Sequence, residues 1–501
     1  MLTTYVQEQY IWILIVGFLL SFILVFSVGA NSVPNAFGTS IGATVLTHFQ
    51  AVILAGIFMT LGAVIIGPAV ADTIENSIAD ISLYQSSLEQ LMLGQLSVIL
   101  ACALWKIIAT TLKLPVAITH SIVGAVVGFH VTAIGIEGIY WTTLIFLAIS
   151  WVTSPLLSGV IAIILYKIVL KTIVEKENPL ESGAKTLPLW FGVVVSINVL
   201  SVLLQLESLF GEFYMAWYLI IAISLGGGIL TAILVWFCIV PRLKKNNGAE
   251  NKAISSDKIE TSAAGSNENA TYENIKQASD LNVHQSEKGS ENAPLLSESD
   301  QLELNDTERL HENLDVAKLC SPLLVVSVIF AAYAYGSILV STGVAPLITI
   351  WNVYETGRVE KAVENPFWMF LYGSCALTLG FAIVGGRVTQ TVGEGITFLS
   401  SSRAFPIELG ATVVLLVASN FGIPVSTAHC KIGAITAVGY YSDGGVDFRL
   451  VSKILIAWVV TLPATTGLSA GLFALFRVAY QYSNEENAFT SNSTSLLHAI
   501  I

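Results

Sequence analysis

Residues 112–128 read LKLPVAITHSIVGAVVG, and residues 421–439 read FGIPVSTAHCKIGAITAVG. Pro115 falls over Pro424 and His120 over His429. Two further segments repeat in the same order. SWVTSPLLSG (150–159) matches AWVVTLPATTG (457–467), with Trp151 over Trp458 and Pro155 near Pro463. Gly62 and Gly67 in LGAVIIGPAVADTI pair with Gly380 and Gly385 in LGFAIVGGRVTQTV. Chance does not easily produce ordered matches at a nearly constant offset, so the chain reads as a duplication.

Composition says where the duplicated fold sits. Of 501 residues, 54% are hydrophobic and 12% charged, against about 25% charged in soluble domains. Most of the surface therefore faces something other than water. Crossing hydrocarbon about 30 Å thick takes roughly 20 helical residues. Apolar runs of that kind lie near 10–29, 50–70, 91–112, 140–170, 188–207, 215–240, 318–350, 367–385, 405–420 and 452–478. The 140–170 and 318–350 runs are long enough to contain a break. The expected fold is an all-α integral membrane protein with ten to twelve transmembrane helices in two inverted repeats, with re-entrant hairpins after Pro115 and Pro424. Internal repeats of this kind are typical of secondary transporters, whose substrate site lies at the repeat interface.

Between Arg242 and Asp315 the sequence becomes rich in Ser, Asn, Glu and Lys and poor in aromatics. Such a segment cannot bury enough apolar area to offset its ordering entropy. It is expected to be a disordered linker (242–315) between membrane halves 1–241 and 316–501. Lys167, Lys171, Lys176 and Lys185 flank one end of the 188–240 hairpin, and Arg242, Lys244 and Lys245 the other. By the positive-inside rule the central loop is cytoplasmic and the termini are external. The net charge of −12 excludes a nucleic-acid binder driven by basic charge. Cys102, Cys238, Cys320, Cys375 and Cys430 show no metal-ligand spacing and read as buried small hydrophobes.

The residues able to carry chemistry cluster at the repeats. Each Pro-Val is followed by small hydroxylated residues: Thr119 and Ser121 in one copy, Ser426 and Thr427 in the other. Proline suits the first position of a helix. Free N–H groups and hydroxyls at such a terminus suit a tetrahedral oxyanion. The competing reading is a kinked span whose Ser and Thr mend the freed carbonyls. His120 and His429 lie in apolar surroundings; each either holds re-entrant backbone by a neutral hydrogen bond or couples to protons. The first helix ends in GANSVPNAFGTSIGA (29–43), where Asn31, Asn35 and Thr39 resemble an unwound, cation-coordinating break. Glu408 stands in an apolar stretch without an evident partner. No Walker loop, zinc motif or nucleophile elbow appears in a convincing context. No enzymatic activity, catalytic residue, bound metal or cofactor is therefore expected.

At GANSVPNAFGT, the two Pro-Val-(Ser/Thr)-His segments and the closing Trp-Val-Thr-x-Pro pattern, the chain resembles the sodium-dependent inorganic phosphate transporter (PiT) family. The resemblance covers roughly 10–240 and 318–480. It implies symport of inorganic phosphate with sodium or protons, in a bilayer that is expected to be the plasma membrane, with a second copy of the chain as a partner left open. The sequence departs from the family pattern at the signature G-A-N-D-V-A-N, where Ser32 and Pro34 replace Asp and Ala. In the second copy, Ile338, Leu339 and Thr342 replace Asn, Asp and Asn. Hydroxyls are lost at Ala117 and Ile118, and Met59 and Gln95 stand where the family has glutamates. Both signature aspartates are gone, so weakened cation coupling is expected. The alternative is a non-transporting paralogue acting as receptor, sensor or scaffold.

Overall fold

In a computed structural model, residues 2–209, 215–243, 314–359, 366–420, 425–442 and 444–500 are described. The segment expected to be a linker lies outside these residues except at its two ends, as does Pro424. Among the described residues the chain is helical, with a single isolated β-bridge between Ala79 and Ile139.

In the first half, α1 (Leu2–Ser32) gives way at Val33 to α2 (Pro34–Gly42). Helix α3 (His48–Leu54) begins at a capping box, in which Thr47 and Gln50 satisfy each other's backbone N–H groups. It runs through a π-turn (Ala55–Met59) into α4 (Thr60–Ile78). Then come α5 (Leu88–Thr111), α6 (Ile118–Ile134), α7 (Trp141–Val169), α8 (Pro179–Leu209) and α9 (Trp217–Leu234). The second half comprises α10 (Leu314–Thr356), α11 (Phe367–Val384), α12 (Gly386–Gln390), α13 (Ser401–Asn420), α14 (Thr427–Tyr441) and α15 (Phe448–Ile500).

Ten helices among the described residues are long and apolar enough to cross a membrane. Their outer faces expose Leu19, Phe146, Leu156, Ile229, Phe237 and Val459, as a lipid-facing surface requires. Helices α6, of 17 residues, and α14, of 15, fall short of the roughly 20 that a full crossing takes. Each packs against the long helix before it, α5 and α13 respectively. The α5–α6 connection reverses at Lys113 (φ 58°) and runs extended into Ala117, the residue before α6.

Several expectations are corrected. Neither long apolar run is broken: α7 passes through Pro155, and α10 runs 43 residues through Pro322 and Pro346. A proline removes one N–H and one helical bond, and packed neighbours absorb that loss inside a membrane protein. The unwound break expected at 29–43 is an interruption of one residue. Val33 keeps helical dihedrals (φ −61°, ψ −33°), and Pro34 starts α2 at the position where its missing N–H costs least. Of the cysteines, Cys238 and Cys375 are exposed, while Cys102, Cys320 and Cys430 are buried.

The two halves interlock through exchanged contacts. A Cβ added to Gly29 of α1 would strike the carbonyl of Leu377, and one added to Gly336 of α10 would strike that of Met59. Gly380 abuts the Phe26 carbonyl and Gly62 the Tyr333 carbonyl. The aligned segments MTLG (59–62) and LTLG (377–380) thus play the same part in two crossings. The same exchange relates Gly124 against the Leu462 carbonyl to Gly433 against that of Pro155. Reciprocal contacts of this kind are what a two-fold relation between halves produces. Each short helix also packs on the other half's long helix, α6 on α15 and α14 on α7.

Candidate functional site

The exchanged packing brings the starts of α6 and α14 face to face. Four rings form one column across the interface. Trp151 stacks on His120 at 3.7 Å between centroids, His120 on His429 at 4.7 Å, and His429 on Trp458 at 3.6 Å. The column reads the same from either end, Trp-His-His-Trp, because its halves come from equivalent positions. Trp458 donates its indole N–H to the Pro115 carbonyl at 2.9 Å, so a helix of one half holds the hairpin of the other.

The hydroxyls expected to bind an oxyanion flank this column. Ser426 caps α14: its Oγ accepts the His429 backbone N–H at 3.3 Å and lies 2.6 Å from His429 Nδ1. Thr427 opens the helix, and its carbonyl accepts a hydrogen bond from the Tyr335 hydroxyl at 3.3 Å. In the other hairpin, Ser121 bonds the Ala117 carbonyl at 3.2 Å. Thr119 Oγ1 and His120 Nδ1 are buried and bond nothing among the described residues. Buried polar atoms of this kind are normally satisfied by water or a ligand. Three of the four hydroxyl residues thus lie on the two short helices joined by the His120–His429 stack, and Ser426 caps the second.

Of the three residues expected to coordinate a cation, Asn31 and Thr39 are engaged by different partners and Asn35 is not. Asn31 is fully occupied. Its Nδ2 donates to Thr110 Oγ1 (3.2 Å) and the Leu114 carbonyl (2.9 Å), and its Oδ1 accepts from Val116 N–H (3.0 Å) and Lys106 Nζ (3.1 Å). Thr39 donates to Glu408 Oε2 at 2.6 Å. Asn35 is buried, and neither of its amide atoms has a partner among the described residues. Glu408 does have a charged neighbour: Lys431 Nζ lies 2.5 Å from its Oε2, and both side chains are fully buried.

Two site residues escaped the sequence reading, Lys106 and Lys431. Both are completely buried. The signal was available, since one basic residue interrupts ACALWKIIATT and another follows the histidine in AHCKIGA. An ionisable residue inside a span marks function by default.

The phosphate transporter family matches residues 28–469 of this sequence. The chain belongs to that family. The transporter is 30% identical to the sodium-dependent phosphate transporter 1-B of Danio rerio, over 95% of this chain and 96% of that one. It is equally 30% identical to the sodium-dependent phosphate transporter 2 of Xenopus tropicalis, over 94% and 99%. Among solved structures, one described as the sodium-dependent phosphate transporter matches with a TM-score of 0.73 and 27% identity. That match covers 93% of this chain and 99% of the other.

Proposed function

We propose that this protein is a secondary transporter of inorganic phosphate with sodium as its co-transported ion. The observation that carries the reading is the stack of His120 on His429, which joins two short helices bearing Thr119, Ser121, Ser426 and Thr427. Hydroxyls and free N–H groups at two facing helix starts offer a tetrahedral anion donors from both sides. Unpartnered Thr119 Oγ1 supports this assignment. Of the expected cation ligands, Asn35 is the one whose buried amide oxygen is left to coordinate an ion. Relatives named as sodium-dependent transporters weigh against a receptor or scaffold.

The same reading divides the chain into inverted halves 1–241 and 316–501 and places it in the plasma membrane, with the central loop inside. Glycosylation tests the orientation. Asn492, in the sequon NST, should accept a glycan, and Asn269 and Asn305 should not. A glycosidase-sensitive band that survives Asn492→Gln and disappears with Asn305→Gln would reverse it.

The functional test is radiolabelled phosphate uptake by oocytes expressing the transporter, in sodium or in choline. Uptake above that of water-injected cells is expected in both media and is expected to be higher in sodium. No uptake in either medium, at verified surface expression, would refute the reading.

A further inference from the structure

Lys106 is a basic side chain buried inside a membrane-spanning helix. Its side chain is fully buried in α5, and Nζ donates to Ser32 Oγ at 2.7 Å, Asn31 Oδ1 at 3.1 Å and the Val116 carbonyl. These oxygens come from two elements, the end of α1 and the root of the α5–α6 hairpin. Asn31 cannot swing away, because its other three hydrogen bonds pin it to Thr110, Leu114 and Val116. A fixed set of converging neutral oxygens at a helix end is how proteins hold a small monovalent cation. An ammonium has three hydrogens for three acceptors, and here its nitrogen stands at the focus of the set.

The two buried lysines differ in one decisive respect. Lys431 is neutralised by Glu408. Lys106 has no carboxylate within ion-pair distance among the described residues. A buried charge without a counter-ion is costly unless something neutralises it, and the hairpin at whose root it lies carries Thr119 and His120. A second cation in the same cradle would sit a few ångström from the first, in an interior that screens like charges poorly.

We infer that the Lys106 ammonium is the resident cation of the Asn31–Ser32–Val116 cradle and stands in for a sodium ion there. The cradle binds no sodium, and the fixed charge serves the phosphate directly. This inference rests on the transport reading above and makes it specific: each phosphate is carried with one sodium fewer than a cradle freed of the lysine would take.

The test uses the purified full-length protein, with sodium-22 binding measured per chain at saturating inorganic phosphate and phosphate uptake measured in proteoliposomes. Lys106→Gln removes the charge and leaves an oxygen in the cradle. Combining it with Ser32→Asp adds a carboxylate to draw a cation in. The double variant is expected to bind one more sodium per chain than the wild type and to gain a steeper sodium dependence of uptake. If the double variant does not fold, Lys106→Gln alone is expected to raise the sodium count in the same direction. An unchanged sodium count in a monodisperse variant overturns the inference, whatever the uptake. Absent uptake by the wild type would instead refute the transport reading, and the sodium count would still decide the role of Lys106.

Discussion

The imidazoles of His120 and His429, 309 positions apart, stack at 4.7 Å with 14° between their planes. Each is backed on its other face by the tryptophan of its own half, Trp151 or Trp458. The column is therefore a joint between the two halves, and its rings are structural before they are chemical. Truncating a large buried ring costs roughly 3–5 kcal/mol, because the lining loses its contacts. His429→Ala should accordingly lower thermal stability in detergent, with the added loss of the Ser426 contact. His120→Phe keeps a flat ring in the column and should melt close to the wild type. Equal destabilisation by both changes would show that the stack is not the joint.

The helix crossings give a sharper test, because backbone oxygens cannot move aside as side chains do. Gly29→Ala and Gly336→Ala each drive a methyl into a facing carbonyl, that of Leu377 and of Met59. Overpacking of this kind typically costs about 1–3 kcal/mol and often more against backbone. Both variants should lose surface expression together, since they damage equivalent crossings. Gly467→Ala and Gly471→Ala, whose added Cβ meets nothing, should behave as the wild type in surface biotinylation and size-exclusion profiles.

Glu408 and Lys431 form a fully buried ion pair that also receives the Thr39 hydroxyl. Removing one partner of such a pair costs about 3–5 kcal/mol, whereas replacing both by apolar groups is often neutral. Glu408→Gln and Lys431→Met should each destabilise the protein strongly, and the double change should recover most of the loss. A double-mutant cycle on melting in detergent measures that coupling. Additive losses would mean that the two charges act independently.

How far the sequence speaks is best seen at particular residues. The pairings of His120 with His429 and of Trp151 with Trp458 were legible in sequence, and they are the ring column of the structure. Duplication leaves its trace in order and spacing, which no packing is needed to read. The partner of Glu408 was not legible, since Lys431 lies on a different helix and only packing brings them together. The side-chain oxygens of Asn31, Asn35 and Thr39 suggested an unwound helix; the one hydrogen bond that Pro34 removes proved too small to unwind a segment whose residues are almost all buried. Lys106 was visible as a basic residue inside an apolar span, but its partners were not, because Asn31 and Ser32 lie more than 70 positions away and only the packing of α1 on α5 brings them to it.

The central claim is that phosphate binds between the two short helices and crosses the membrane there. Hydrogen bonds to a charged group contribute about 1.5–3 kcal/mol each, so losing the hydroxyls of both Ser426 and Thr427 should weaken phosphate binding well over tenfold. The direct measurement is radiolabelled phosphate uptake by proteoliposomes holding either the purified wild type or the Ser426→Ala, Thr427→Ala double variant. The account predicts saturable uptake by the wild type, and a half-saturation raised well over tenfold in an equally well-incorporated variant. Wild-type uptake no greater than in protein-free liposomes, or an unaltered half-saturation in the variant, would contradict it.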